Sequence, residues 1–264
     1  MSTPCTKRGP ELSRRSQIWL PGTTLLCDAD GNLFPSEEPA FEASVAVTNR
    51  LMTHLGSQVR FTADELRLAS TGLNFRTLAE GLADEAGARL STVELQCWVE
   101  EENRVVSEHL GRTLQPDSTV IAVLERLAQR FELAVVSSSA LSRLAVCFTA
   151  TGLDTLFPMA VRVSAQDSLP VPSSKPDPAV YRHALQHLKL VPDRALAIED
   201  AVPGVASSVS AGIQTVGNLA FTAPVEKSAR RRALLEAGAT LVVEDWEELS
   251  TVLLEESDGV TCGE

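Results

Sequence analysis

Apolar and polar positions follow two different rhythms along this chain. A short apolar run from Thr23 stops abruptly at Asp28, Asp30 and Gly31. A continuous run of that length predicts a strand, Thr23 to Asp28, buried on both faces as in a parallel sheet. After Pro35, Ser36 reads as a helix N-cap with Glu37 and Glu38 in the first turn. From Phe41 to about Gly111 the period is helical: segments near 41–55, 62–70, 74–86 and 91–110 are separated by Gly56, Gly72 and Gly87. Val, Ile and aromatic residues are too sparse there for a sheet.

Beyond Gln115-Pro116 helix and strand alternate. Helix 117–130, with Val120, Val123, Leu124 and Leu127 on one face, leads to strand 132–136 and helix 140–151. Helix 177–190 precedes strand 194–198, helix 203–211 precedes strand 213–216, helix 226–237 precedes strand 240–243, and helix 245–254 closes. The pattern predicts an α/β protein: a Rossmann-like parallel sheet with right-handed crossovers, and a small all-α domain inserted after the first strand. Residues 18–35 and 113–254 form the core domain, 36–112 the insertion, and 1–17 and 255–264 loose tails.

Composition narrows the classes. A chain of 264 residues, 44% hydrophobic and 5% aromatic, buries an α/β core with room for a second small domain. No apolar run approaches the roughly 20 residues that span a bilayer. A net charge of −12 argues against a nucleic-acid surface. An anionic ligand must then be met by local positive charge from a metal, a lysine or helix N-termini. Cys5, Cys27, Cys97, Cys147 and Cys262 are scattered and include no C-x-x-C pair, which predicts neither a zinc site nor a disulfide framework, and a reducing, cytoplasmic setting. The basic residues near the N-terminus lack the apolar stretch of a signal peptide.

Four polar groups fall at strand ends or helix starts. Asp28 and Asp30 close the first strand; their bland alternative is a turn before Gly31. Ser137-Ser138-Ser139 follow the second strand, where a hydroxyl and free N–H groups can hold a phosphate oxygen, or simply cap the next helix. Lys175 stands in Ser174-Lys175-Pro176-Asp177-Pro178 before a proline-braced helix start, either as an ammonium on a stiff platform or as a solvated lysine. Glu199-Asp200 closes a later strand, where packing explains two carboxylates poorly. In a parallel sheet all four converge on the carboxyl edge. Carboxylates gathered there face desolvation and repulsion that a cation relieves, and magnesium suits a few carboxylates with retained waters. Carboxylates, a cation, a hydroxyl and a lysine together suit phosphoryl transfer.

Asp28-Ala29-Asp30-Gly31, then Ser137, Lys175 and Glu199-Asp200, resemble the four ordered motifs of the haloacid dehalogenase-like (HAD) superfamily. The resemblance covers about residues 23–250, and the helical block looks like the family's α-helical cap. Val135-Val136-Ser137-Ser138-Ser139, Ser174-Lys175-Pro176-Asp177-Pro178 and Ile198-Glu199-Asp200-Ala201-Val202-Pro203-Gly204-Val205 resemble the branch containing β-phosphoglucomutase and small sugar-phosphate phosphatases. The resemblance implies a Mg²⁺-dependent phosphatase acting on a small phosphorylated metabolite. Asp28 is then the nucleophile and Asp30 the acid and base. Ser137 holds a phosphoryl oxygen, with Ser138 and Ser139 beside it. Lys175 pairs with Asp28 and the phosphate. The metal lies on Asp28, Asp200 and the backbone carbonyl of Asp30, with Glu199 in support. Asp30 favours ester hydrolysis over dehalogenation, because an alkoxide leaving group needs a proton and a halide does not.

The chain departs from the family pattern at four places. Asn32 stands where threonine or valine is usual, Pro35 where aspartate is frequent, and Ala201 where serine is common. Ala40 lies near the place where sugar phosphomutases carry a histidine, which favours a phosphatase over a mutase. Thr71 to Arg76 resembles the cap's substrate-reading loop, with Asn74 and Arg76 as substrate contacts; the alternative makes Asn74 a helix N-cap and Phe75 cap packing. His183 and His187 read as a solvated helix face and Cys27 as core. A phosphomutase and a non-catalytic binding protein stand as alternatives to the phosphatase.

Overall fold

The structure, a computed structural model, describes residues 22–70 and 74–258. Six parallel strands form one sheet: β1 (Thr24–Cys27), β2 (Glu132–Ser137), β3 (Arg162–Ser164), β4 (Ala195–Glu199), β5 (Gln214–Asn218) and β6 (Leu241–Val243), in the order β3-β2-β1-β4-β5-β6. The strands are buried on both faces, as their continuous apolar runs require. Leu25 and Cys27, Leu133 and Val135, and Leu196 and Ile198 pack into one layer, while Leu26, Ala134, Val136 and Ala197 pack into the other. The first layer is closed by α5 (Ser118–Leu127), α6 (Leu141–Thr151) and α10 (Trp246–Asp258), the second by α7 (Ala179–His187). Val205 of α8 (Val202–Ser210) and Leu234 of α9 (Lys227–Glu236) form a smaller cluster with Val242.

Strand order reverses direction between β1 and β4, and both pair with the central register Cys27↔Ile198. A ligand crevice opens beyond the carboxyl ends of strands at such a reversal. Asp28 and Glu199-Asp200 sit at that point.

Four helices follow β1: α1 (Glu37–His54), α2 (Ala63–Ala69), α3 (Phe75–Glu85) and α4 (Thr92–Thr113). They bury their own small clusters, Met52, Leu66, Leu78 and Leu82 in one and Leu51, Ala79 and Leu95 in another. Ala43 of α1 and Val106 and Leu110 of α4 join the main core instead, which ties the insertion to the sheet domain.

Three expectations need correction. The strand β3 is absent from the sequence reading because it is three residues long and opens on a charge. Arg162 is buried there: Nε donates to Phe157 O at 2.7 Å, Nη2 reaches Asp154 Oδ1 at 2.7 Å, and the guanidinium lies 4.2 Å from the Phe148 ring centroid. Ser36 precedes α1 but makes no side-chain cap; its hydroxyl is drawn to Asp30 instead. The closing helix α10 runs to Asp258, past the expected start of the tail. The expected tail 1–17 and the loop residues Thr71, Gly72 and Leu73 lie outside the described residues.

Candidate active site

The tight turn after β1 starts the site. Gly31 has φ +76°, and a Cβ there would stand 2.5 Å from Asp200 Oδ2, so only glycine lets the turn pass that carboxylate. Asn32 locks the turn to the sheet. Its buried amide Nδ2 donates to Asp28 O at 2.9 Å and Ile198 O at 3.1 Å, its Oδ1 accepts from Asn218 Nδ2 at 2.9 Å, and its carbonyl accepts from Trp246 Nε1 at 2.9 Å. The amide therefore ties the end of β1 to the end of β4, a bond threonine or valine cannot make in full.

Lys175 lies buried between two carboxylates. Its Nζ donates to Asp28 Oδ1, to Glu199 Oε1 at 2.6 Å and to Val136 O at 2.7 Å. Tyr181, the chain's single tyrosine, donates its hydroxyl to Glu199 Oε1. Glu199 thus first anchors the lysine. A Cβ at Gly204 would collide with the Glu199 carboxylate, so α8 approaches closely only because that residue is glycine. Ser138 Oγ accepts from Lys175 N at 3.2 Å, bracing the lysine's backbone.

Asp30 forms a second cluster. Its Oδ1 accepts from Ser36 Oγ at 2.6 Å, and its Oδ2 accepts from Ser139 Oγ at 2.8 Å and from Ser137 Oγ at 3.5 Å. Ser137 Oγ also accepts from Ser139 N at 2.9 Å. The sequence-predicted residues Asp28, Asp30, Ser137, Ser138, Ser139, Lys175, Glu199 and Asp200 all line one cavity of about 880 Å³. Its far wall is built by the inserted helices, with Ala40, Asn74 and Arg76 among the lining. Asn74 also caps α3 through Thr77 N at 2.9 Å, and Arg76 donates to Gln96 Oε1. His183 and His187 lie elsewhere, their rings stacked 6.1 Å apart on α7. Cys27 is core, and burial raises its thiol pKa.

Magnesium is the cation such a site implies, and the residues fit it. Asp28, Glu199 and Asp200 each offer an oxygen, all within 4.8 Å of one another, an all-oxygen set suited to a hard cation. The carboxyl of Asp30 stands outside that group, turned to its serines. Burial is the chief cause that raises Asp28 to about 8, with Lys175 opposing it and Glu199 and Asp30 adding repulsion. Asp200 is likewise raised, by burial and then by Asp28, Glu37 and Glu199, with Arg230 opposing.

These shifts carry a signed expectation. A carboxyl raised above its unfolded value stabilises the fold fully below that value, and the contribution is lost as pH rises through the folded one. Lys175 is raised as well, so its contribution holds across this range. Metal-free protein therefore loses stability from about pH 4 to about pH 8 through Asp28, Asp200 adds a loss of the same sign, and magnesium offsets both. Melting curves in chelator and in Mg²⁺ should separate progressively as pH rises. An Mg²⁺-induced gain in Tm that shrinks toward alkaline pH contradicts this.

Reversed strand order, buried lysine–carboxylate centre and helical insertion together define a hydrolase of the capped α/β type. The chain belongs to the haloacid dehalogenase-like hydrolase family, whose model matches residues 26–218. Within it, the chain is similar to proteins named for β-phosphoglucomutase, CbbY and carbohydrate phosphatase activity. It is 38% identical over 85 residues to the phosphorylated carbohydrates phosphatase of Thermotoga maritima, a stretch covering 32% of this chain and 37% of that protein. The matched stretches span about a third of the length of the curated relatives. Among solved structures, a putative β-phosphoglucomutase from Thermotoga maritima is 27% identical with TM-score 0.61, covering 88% of this chain and 99% of its own. CbbY from Rhodobacter sphaeroides, solved with xylulose-(1,5)bisphosphate, shares the fold at 21% identity and TM-score 0.65, covering 86% of this chain and 96% of its own.

The sequence reading missed Asn218, Tyr181, Arg143 and Glu102. Tyr181 carried a signal, being a lone tyrosine on the helix that follows the lysine motif. Arg143 and Glu102 carried none.

Proposed function

We propose that this protein is a Mg²⁺-dependent phosphatase that hydrolyses a small phosphorylated metabolite, a sugar or polyol monoester, through a phosphorylated Asp28. The observation that carries the reading is the pairing of Lys175 with Asp28 and Glu199 beside a second acid, Asp30, at the floor of one cavity. Magnesium on Asp28, Asp200, the Asp30 carbonyl and the supporting Glu199 supplies positive charge that lets an anionic ester approach a carboxylate.

The side chains of this chain do the rest. Lys175 opposes the burial that pushes Asp28 toward its neutral form, and draws a phosphoryl oxygen. Asp28 attacks phosphorus, and Asp30, steadied by Ser36 and Ser139, protonates the leaving oxygen and then takes a proton from the hydrolytic water. Ser137 and the neighbouring Ser138 and Ser139 surround the phosphoryl oxygens. Asn74 and Arg76 reach the leaving group from the cap. The likeness to a phosphorylated carbohydrates phosphatase supports the substrate class. Ala40 on the cavity wall, with no histidine among the described lining residues, supports a phosphatase over a mutase. The free Cys27, Cys97 and Cys147 accord with work in a reducing, cytoplasmic setting.

A panel of phosphorylated metabolites assayed with Mg²⁺ and with chelator tests the reading. Phosphate release from sugar or polyol monoesters should fall about a hundredfold or more without metal. Conversion of a substrate into an isomeric phosphate, or no turnover of any ester with Mg²⁺ present, overturns it.

A further inference from the structure

We propose that Arg143 and Glu102 read the substrate's leaving group as a pair, selecting a tail with neutral hydroxyls over one with a second anion. The inference rests on the phosphatase reading above. Arg143 stands in the first turn of α6, on the sheet domain; Glu102 and Asn103 stand midway along α4, in the insertion, and all three line the cavity. Arg143 Nη2 donates to Glu102 Oε2 and Asn103 Oδ1, at 2.7 and 2.8 Å. The ion pair is withdrawn from solvent, with side-chain exposures of 15% and 9%. Arg143 Nε is buried with no hydrogen-bond partner among the described residues.

The part of the Arg143 side chain still exposed on the cavity wall can meet an oxygen from whatever fills the cavity. A sugar or polyol hydroxyl accepts such a bond and leaves the ion pair intact. A carboxylate or second phosphate meets the Glu102 carboxylate on the same wall. To take Arg143 it must displace that partner, leaving a desolvated charge unpaired. Arg76, bonded to the neutral Gln96, is the competing cation on the cap side.

The test compares kcat/KM with Mg²⁺ on sorbitol phosphate and phosphogluconate, open chains of equal length ending in a hydroxymethyl or a carboxylate. p-Nitrophenyl phosphate is the reference without a polyol tail. The native enzyme should prefer sorbitol phosphate. Glu102→Gln keeps the shape and frees the guanidinium, so the ratio of phosphogluconate to sorbitol phosphate should rise about tenfold or more. Arg143→Met leaves the carboxylate alone, so that ratio should fall about tenfold, and sorbitol phosphate should also lose against p-nitrophenyl phosphate. The two shifts are opposite, so either variant decides if the other fails to fold, which its melting curve reports. The proposal is overturned by a ratio that neither variant moves. It is also overturned by a rise as large in the double variant as in Glu102→Gln alone, or by a native preference for phosphogluconate, which puts the second anion on Arg76. No hydrolysis of p-nitrophenyl phosphate or either sugar ester by the native enzyme defeats the phosphatase reading itself, and this inference with it.

Discussion

Asp28→Asn should lower turnover by about 10⁴-fold or more while leaving the fold in place. The amide has the shape of the carboxylate but cannot attack phosphorus or accept a phosphoryl group. Stability should not suffer. Asp28 sits among Glu199, Asp30 and Asp200, and burial already pushes it toward its neutral form, to about 8. A neutral isostere removes repulsion that the metal-free protein otherwise carries. Lys175 keeps its second partner, Glu199. Metal-free Asp28→Asn should therefore melt no lower than the native protein, and its Mg²⁺-induced gain in Tm should shrink, because one ligand is lost. A variant that melts far lower in chelator would mean that Asp28 is there for packing.

Lys175→Met should act in the opposite direction on stability. The methionine fills much of the same volume without charge, so buried Asp28 and Glu199 lose the ammonium to which both are bonded. Breaking a buried pair by removing one partner costs about 3–5 kcal/mol. Denaturant melts in chelator check that loss, and Mg²⁺ should restore part of it by supplying charge to the same carboxylates. Turnover should fall by about 10³-fold even in saturating Mg²⁺, since the ammonium proposed to compensate the phosphoryl oxygens is gone. A variant equal to the native protein in both stability and rate contradicts the placement of Lys175 at the centre of the site.

Much of this was legible in the chain because its signals are local. An apolar run ending in paired acids marks a strand buried on two faces and a ligand edge. β1 and β4 announced themselves in that way, β2, β5 and β6 as short apolar runs between helices, and the acids, serines and lysine of the motifs do meet at one cavity. What stayed hidden depends on partners far apart in sequence. Asn32 read only as a departure from the family pattern. Its reason is Asn218, 186 residues away, and no local pattern couples two buried amides. Ser36 obeyed a capping rule on paper, yet the Asp30 carboxylate, a stronger acceptor six residues back, claimed its hydroxyl. β3 was masked by an arginine whose charge is satisfied by Asp154 and a carbonyl only once the chain is folded. Arg143 and Glu102 carry no local signal, and only the packing of α6 against α4 brings them together.

The central claim is that Asp28 carries the phosphoryl group. Acid-quenching the native enzyme during turnover of p-nitrophenyl phosphate with Mg²⁺, followed by peptide mass mapping, tests it directly. One phosphoryl group should appear on the peptide containing Asp28, labile to hydroxylamine and absent from Asp28→Asn. A phosphoryl group on any other residue, or undiminished turnover by Asp28→Asn, contradicts the account.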